Sequence, residues 1–167
     1  MNQPDFDPDE LPQSAELPRR GRLAGLDFGT VRLGVAISDP GQQFASPLQT
    51  YTRRSESLDQ RFLSQLAQEE RLVGWVIGLP VHMSGQASQK SREAAKFGRW
   101  VEAFSGLPVA WVDERYSTAM ARELLQQSSL SGKKRKAQLD KLAAQIVLST
   151  YLESRTLEPP SDLDDQG

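Results

Sequence analysis

The first patterned stretch, from Arg22, is an apolar, strand-like run holding one acid, in which Leu23, Gly25 and Asp27 fall on one face of an extended chain and Ala24, Leu26 and Phe28 on the other. Gly29 breaks the run, and Leu33 to Ser38 reads as a second strand returning beside the first. Asp39-Pro-Gly41 signals another turn, after which Phe44 to Tyr51 makes a third strand, so three antiparallel strands follow one another. The period then lengthens. Leu58, Phe62, Leu63, Leu66 and Ala67 recur at helical spacing and predict an amphipathic helix over 57–70. Leu72 to Leu79 is a continuous apolar run of strand length, as burial on both faces requires. A strand, helix, strand crossover of this kind pairs its strands in parallel.

Proline and glycine make a loop of Gly78-Leu-Pro-Val-His-Met-Ser-Gly85. Ser88 to Ser105 reads as a second helix, with Ala94, Ala95, Phe97, Val101 and Phe104 turned inward. Pro108 to Val112 forms a fifth strand followed directly by Asp113-Glu114, and Ser117 or Thr118 caps a helix to about Gln127. The basic run Lys133-Lys-Arg-Lys136 leads into a final helix ending near Ser154. The pattern as a whole predicts an α/β domain: a mixed five-stranded sheet, three antiparallel strands and then parallel crossovers, flanked by helices, with strand one in its middle.

Composition narrows the chemistry. At 167 residues there is room for one domain, taken as 21–154, with acidic and disordered tails at 1–20 and 155–167. Cysteine is absent and His82 is the sole histidine, which excludes disulfides and thiol chemistry and leaves carboxylates to do any metal work. No apolar run is long enough for a bilayer, and the N-terminus lacks the basic and apolar regions of a signal peptide, so a cytoplasmic location is expected. The net charge of −2 hides an asymmetry: residues 21–150 hold 17 basic against 12 acidic side chains, a net +5 suited to a polyanionic partner.

Three acids stand out against this background. Asp27 lies within an apolar strand, where an unpaired carboxylate is costly; it either caps the turn that follows or serves as a ligand at the mouth of the hairpin. Asp-Phe-Gly-Thr at 27–30 also looks like the phosphate loop of the actin and sugar kinase class, but that class needs two lobes of this size. Asp140 lines up with Ala143, Ala144, Val147, Leu148 and Tyr151 on the inward stripe of the last helix, as a salt-bridge partner or as a site acid. Of Asp113 and Glu114 only one can look toward Asp27, because adjacent strand residues leave on opposite sides. Strand order brings these acids toward one sheet edge, an oxygen-only set of the kind that suits Mg²⁺ or Mn²⁺. Arg32, Lys133, Lys134, Arg135 and Lys136 are the candidate substrate-binding residues, with Arg53 and Arg54 extending the track; the alternative for the lysine run is a solvated loop. Trp75 and Trp111 read as core, whereas Trp100 is open to either role.

Four segments, in order, resemble the YqgF/RuvX family: Gly25-Leu-Asp-Phe-Gly-Thr-Val-Arg-Leu-Gly-Val-Ala-Ile-Ser-Asp39, Gly78-Leu-Pro-Val-His-Met-Ser-Gly85, Val112-Asp-Glu-Arg-Tyr-Ser-Thr118 and Lys133-Lys-Arg-Lys-Ala-Gln-Leu-Asp-Lys-Leu-Ala-Ala144. These frame about 130 residues; the tails lie outside the pattern, and His82 stands where many relatives carry Asn. The resemblance implies an RNase H-like fold with Asp27, Glu114 and Asp140 as catalytic, metal-binding acids. It favours Glu114 over Asp113. It implies a metal-dependent nuclease on structured nucleic acid, with processing of the 5′ end of the precursor of 16S ribosomal RNA expected first, and Holliday junction resolution or noncatalytic binding in ribosome assembly as alternatives. RNA is the expected partner, with branched DNA second, for a monomer or weak homodimer.

Overall fold

The computed structural model describes residues 12–80, 88–114 and 132–157, apart from the side chains of Lys133, Arg135 and Leu157. The expected helix at 118–127, the loop bearing His82 and the segments 1–11 and 158–167 lie outside the described residues. Elements run in the order β1 (Arg22–Phe28), β2 (Arg32–Ser38), β3 (Ala45–Thr52), α1 (Glu56–Glu69), β4 (Leu72–Leu79), α2 (Gln89–Ser105), β5 (Val109–Asp113) and α3 (Gly132–Leu157). The strand order is β3-β2-β1-β4-β5, with β1–β2 and β2–β3 antiparallel and β1–β4 and β4–β5 parallel. This is the predicted mixed sheet, with β1 at its centre.

Strand alternation divides the core into two layers. One holds Leu26, Leu33, Val35, Trp75, Ile77 and Val109 against α1 and α2, with Trp75 fully buried and its indole donating to Ser105 Oγ. The other holds Leu23, Ala36, Val76, Ala110 and Val112 against Ala144, Val147 and Leu148 of α3. Local signals set the helix ends. Ser55 caps α1 by accepting from the Leu58 amide; Ser88 and Ser91 form a reciprocal capping box on α2, which stops at Gly106 in a left-handed conformation.

The tail boundaries need correction. Residues 12–20, expected to be disordered, lie along the molecule: Ala15 donates to the Val109 carbonyl, Ser14 Oγ exchanges hydrogen bonds with the Trp111 backbone, and Leu17 is 2% exposed in the α3 layer. The contacts with Val109 and Trp111 cover part of the outer edge of β5, which would otherwise present unpaired backbone groups. At the other end α3 continues to Leu157, and Arg155, assigned to the C-terminal tail, donates to the carbonyls of Leu17 and Pro18 and to Gln42 Oε1. A stretch rich in acids and prolines looked like a tail because a single buried leucine sets no period.

Candidate active site

Thr50, Gly34 and Asp27 stand in register across β3, β2 and β1. On the other side of β1, Gly78 of β4 is one step beyond the Leu26–Ile77 pair, as Asp27 is. Thr50 Oγ1 donates to the Ala137 carbonyl of α3, holding the start of that helix over this row. A Cβ at Gly34 would fall on the backbone carbonyl of Asp140, and one at Gly78 would stand 2.6 Å from a carboxylate oxygen of Glu114. Asp27 is therefore flanked by two glycines, one covered by the helix backbone at Asp140 and the other by the Glu114 side chain. Gly25, further down β1, repeats the device under the Ala144 carbonyl, where a Cβ would stand at 2.8 Å. Glycine makes this close approach possible because it lacks a side chain.

The same alternation chooses between the adjacent acids. Ala110 and Val112 face α3, so Glu114 continues on that face. Burial and crowding then act on the acids. Asp27 is pushed up from 3.8 to about 7, first by burial, then by the charges of Glu114 and Asp140, and by its hydrogen bond with Glu114. That bond raises Asp27 and lowers Glu114, as expected where Asp27 holds the proton and donates it. Glu114 still lies above the usual carboxylate range through burial and the neighbouring Asp113, with the positive charge of Lys90 pulling the other way. Lys90, in the first turn of α2, was not among the sequence candidates.

Asp140 completes the approach differently from the simple convergence the sequence suggested. Its charge reaches Asp27, but Oδ2 accepts from Arg32 Nε at 2.7 Å, the two side chains being 24% and 34% exposed. Arg32, expected on substrate phosphates, is thus engaged with a site acid. Arg53 is also corrected: its guanidinium pairs with Asp59 at 3.2 Å, donates to the Gly29 carbonyl and lies over the Phe28 and Phe97 rings. Asp59, 2% exposed, accepts in addition from Tyr51 and the Arg54 amide. Lys134 and Lys136 are exposed in the opening turns of α3, not in a loop before it. Asp39 serves its turn, accepting from the amides of Gln43 and Phe44.

The donor chemistry of the three acids, oxygen throughout, with Asp27 pushed up to about 7 by burial and by the charges of the other two, fits a hard divalent cation. Among the described residues, no group of three acids stands close enough to hold an ion as placed. Asp27 and Glu114 are together, whereas the Asp140 carboxylate is turned onto Arg32.

Comparison with known proteins agrees with this architecture. The RuvX family, described as "Holliday junction resolvase", matches residues 21–154. A protein of Rhodopirellula baltica named "Putative pre-16S rRNA nuclease" is 42% identical over 137 residues, covering 82% of this chain and 79% of the relative. One of the same name from Rhodobacter capsulatus is 39% identical over 140 residues, covering 84% and 88%. Among solved structures, the fowlpox virus resolvase with Holliday junction DNA superposes with a TM-score of 0.52 at 12% identity, covering 82% of this chain and 99% of that one. The yeast mitochondrial Holliday junction resolvase Ydc2 gives 0.51 at 8% identity, covering 85% and 82%. The fold is RNase H-like, no described helix is long and apolar enough to cross a membrane, and the chain belongs to the RuvX family, a hydrolase of the nuclease class acting on phosphodiester bonds.

Proposed function

We propose that this chain is a divalent-metal-dependent endonuclease that processes the 5′ end of precursor 16S ribosomal RNA, with Asp27, Glu114 and Asp140 as its catalytic, metal-binding acids. The observation that carries this reading is the pair of glycines beside Asp27: Gly34 admits the α3 backbone at Asp140 and Gly78 admits the Glu114 carboxylate. The names of the two curated relatives support RNA as substrate. Mg²⁺ or Mn²⁺ would be held by Asp27 and Glu114, joined by Asp140 once its carboxylate leaves Arg32. When bound, such an ion supplies Lewis-acid polarisation of the phosphate and activation of water.

The chain's own residues do the rest. Arg32, released from Asp140, is within reach of a phosphate at the same edge. Lys134 and Lys136 project from the first turns of α3, where the helix dipole adds positive potential and the first turn holds no acid. Lys133 and Arg135 extend the basic run in sequence. Such contacts hold backbone phosphates without reading bases. The chain acts as a monomer or weak homodimer in the cytoplasm.

The test is cleavage of a 5′-extended 16S precursor fragment beside a four-way DNA junction, with Mg²⁺, Mn²⁺ or chelator. Metal-dependent cutting of the RNA at the higher rate is expected. Cutting that persists in chelator would overturn the metal reading. A second reading, junction resolution, is favoured by the family description and by the likeness in fold to two resolvases. Resolution needs two coordinated cuts and therefore a symmetric pair of sites. Paired symmetric nicks made by a demonstrable dimer, faster than any RNA cleavage, would establish it instead.

A further inference from the structure

On the opposite face of the sheet from the acids, a cavity of about 440 Å³ opens between α1 and α2 beneath the β1–β2 turn. Its walls include the rings of Phe28, Phe97 and Trp100. Phe28 is the residue after Asp27, so one strand position separates the site from the cavity floor. A second link runs along α2, where Lys90 acts on Glu114 and Glu93, Lys96 and Trp100, further along the helix, line the cavity. The turn between them is fixed: the Arg53 amide donates to Val31 and its guanidinium to the Gly29 carbonyl.

From this placement we infer that the cavity is a subsite for one unpaired nucleobase of the substrate, next to the scissile phosphate. The inference rests on the nuclease reading and deepens it. Three features point to a base and not to a phosphate. The charges lining the cavity balance: Arg53 is paired with Asp59, and Arg54 and Lys96 share the lining with Glu56 and Glu93. A planar, neutral group with polar edges fits such a lining; an anion does not. The stacking surfaces are present, since Trp100 is half-buried, packed edge-on to Phe104 and tilted against Phe97. Arg53, laid over Phe28 and Phe97 with 23% of its side chain exposed, offers the second surface, as guanidinium planes do for splayed-out RNA bases. The volume lies within the range of small-ligand pockets.

A substrate crossing the sheet edge would thus place its phosphate at the acids on one face and turn its neighbouring base down onto the other. Single-stranded or unpaired RNA can do this without breaking a base pair; a continuous duplex cannot. The subsite would confer a preference for an unpaired nucleotide beside the cut while leaving its sequence loosely specified, because every base has a face to stack.

An abasic scan tests this. A set of RNA oligonucleotides, each lacking the base at one position near the cleavage point, is titrated against the parent protein in chelator and against Trp100→Leu and Lys96→Gln. One abasic position should weaken binding to the parent by about tenfold. Trp100→Leu should bind intact RNA about tenfold less tightly and lose the sensitivity to that position. Exposed Lys96→Gln, which leaves the core untouched, should blunt the sensitivity at the same position and no other. A flat scan with tight binding of intact RNA would overturn the subsite alone, as would an unchanged scan in both variants. Failure to bind intact RNA and DNA alike would overturn the nuclease reading and the subsite with it.

Discussion

The two faces of the sheet are built from the same strands on opposite rules. Toward α1 and α2 the strands present Leu26, Phe28, Leu33, Val35, Trp75 and Ile77, large side chains that fill the layer by volume. Toward α3 they present Gly25, Asp27, Gly34, Ala36, Val76 and Gly78, so the helix sits down on backbone. Packing on the first face yields stability from buried apolar area. The second face gives up part of that area for proximity, and proximity brings two further acids to Asp27. Burial first, and then the charges of Glu114 and Asp140, push Asp27 up to about 7.

The largest effect expected from breaking this contrast is at Asp27 itself. Asp27→Asn keeps the shape and removes the charge, so cleavage should fall by at least about a thousandfold, in line with loss of a metal-held transition state. Glu114→Gln and Asp140→Asn should act in the same direction. Single-turnover rates beside unfolding curves check this; three variants with parental folds and parental rates would remove the site. On the other face, Ile77→Val should cost about 1 kcal/mol of stability and leave the rate unchanged.

Gly34→Ala comes next, and here the two faces differ in kind. A methyl group added there meets the Asp140 carbonyl, and the helix must move off the sheet. Overpacking of this sort costs about 1–3 kcal/mol. Displacement of α3 also carries Asp140 away from Asp27, so the cleavage rate should fall about a hundredfold, as misplacement by an ångström can do. A variant destabilised but fully active would show that proximity at Gly34 serves packing only.

The sheet was legible in the sequence because its signals are local: short apolar runs in β1, β2 and β4, glycine and proline turns between the first three strands, and helical spacing in α1 and α2. The choice of Asp27, Glu114 and Asp140 came from a family resemblance added to strand alternation, and the structure adds how they approach one another. What stayed hidden depends on contacts distant in sequence. The role of Gly34 needs a helix more than 100 residues away, and Arg32 meets Asp140 across 108 residues. Arg53 looked like another basic residue of a binding track, since nothing near it in sequence announces two aromatic rings and a buried aspartate. Leu17 and Arg155 were lost to tails for the same reason.

A third effect separates the faces by pH. Because the fold raises Asp27 from 3.8 to about 7, the folded chain binds a proton that the unfolded chain has released throughout that window. Below about pH 4 both states carry it and the group adds nothing; between about 4 and 7 stability falls as pH rises; above that the loss is constant. At about 1.4 kcal/mol per unit, lessened by water at this half-open edge, the loss amounts to roughly 2 kcal/mol. Thermal melts in chelator from pH 4 to 8 should show the slope in the parent and a shallower one in Asp27→Asn, which should be the more stable protein at pH 8. Equal slopes would mean that Asp27 is ionised in the fold across this whole range.

The smallest effect concerns the basic run at the start of α3, which neither face buries. Exposed lysines in a first turn that holds no acid, at the positive end of a helix dipole, destabilise their own helix slightly, so Lys134 and Lys136 contribute little to the fold. Their contribution is to affinity. If they and their sequence neighbours Lys133 and Arg135 hold backbone phosphates, changing all four to Gln should reduce the slope of log affinity against log salt by up to about 3 for single-stranded RNA. The loss should be alike across sequences, because phosphate contacts carry no sequence information. Stability should stay level or rise by a few tenths of a kcal/mol, through relief at the helix end. The abasic sensitivity assigned to the Trp100 cavity should survive in the quadruple variant, since that cavity lies on the other face. Binding measured by anisotropy between 50 and 300 mM salt decides the matter. A slope unchanged by all four substitutions would return these residues to the role of a solvated helix end and leave the phosphate contacts to cations beside the acids, Arg32 among them.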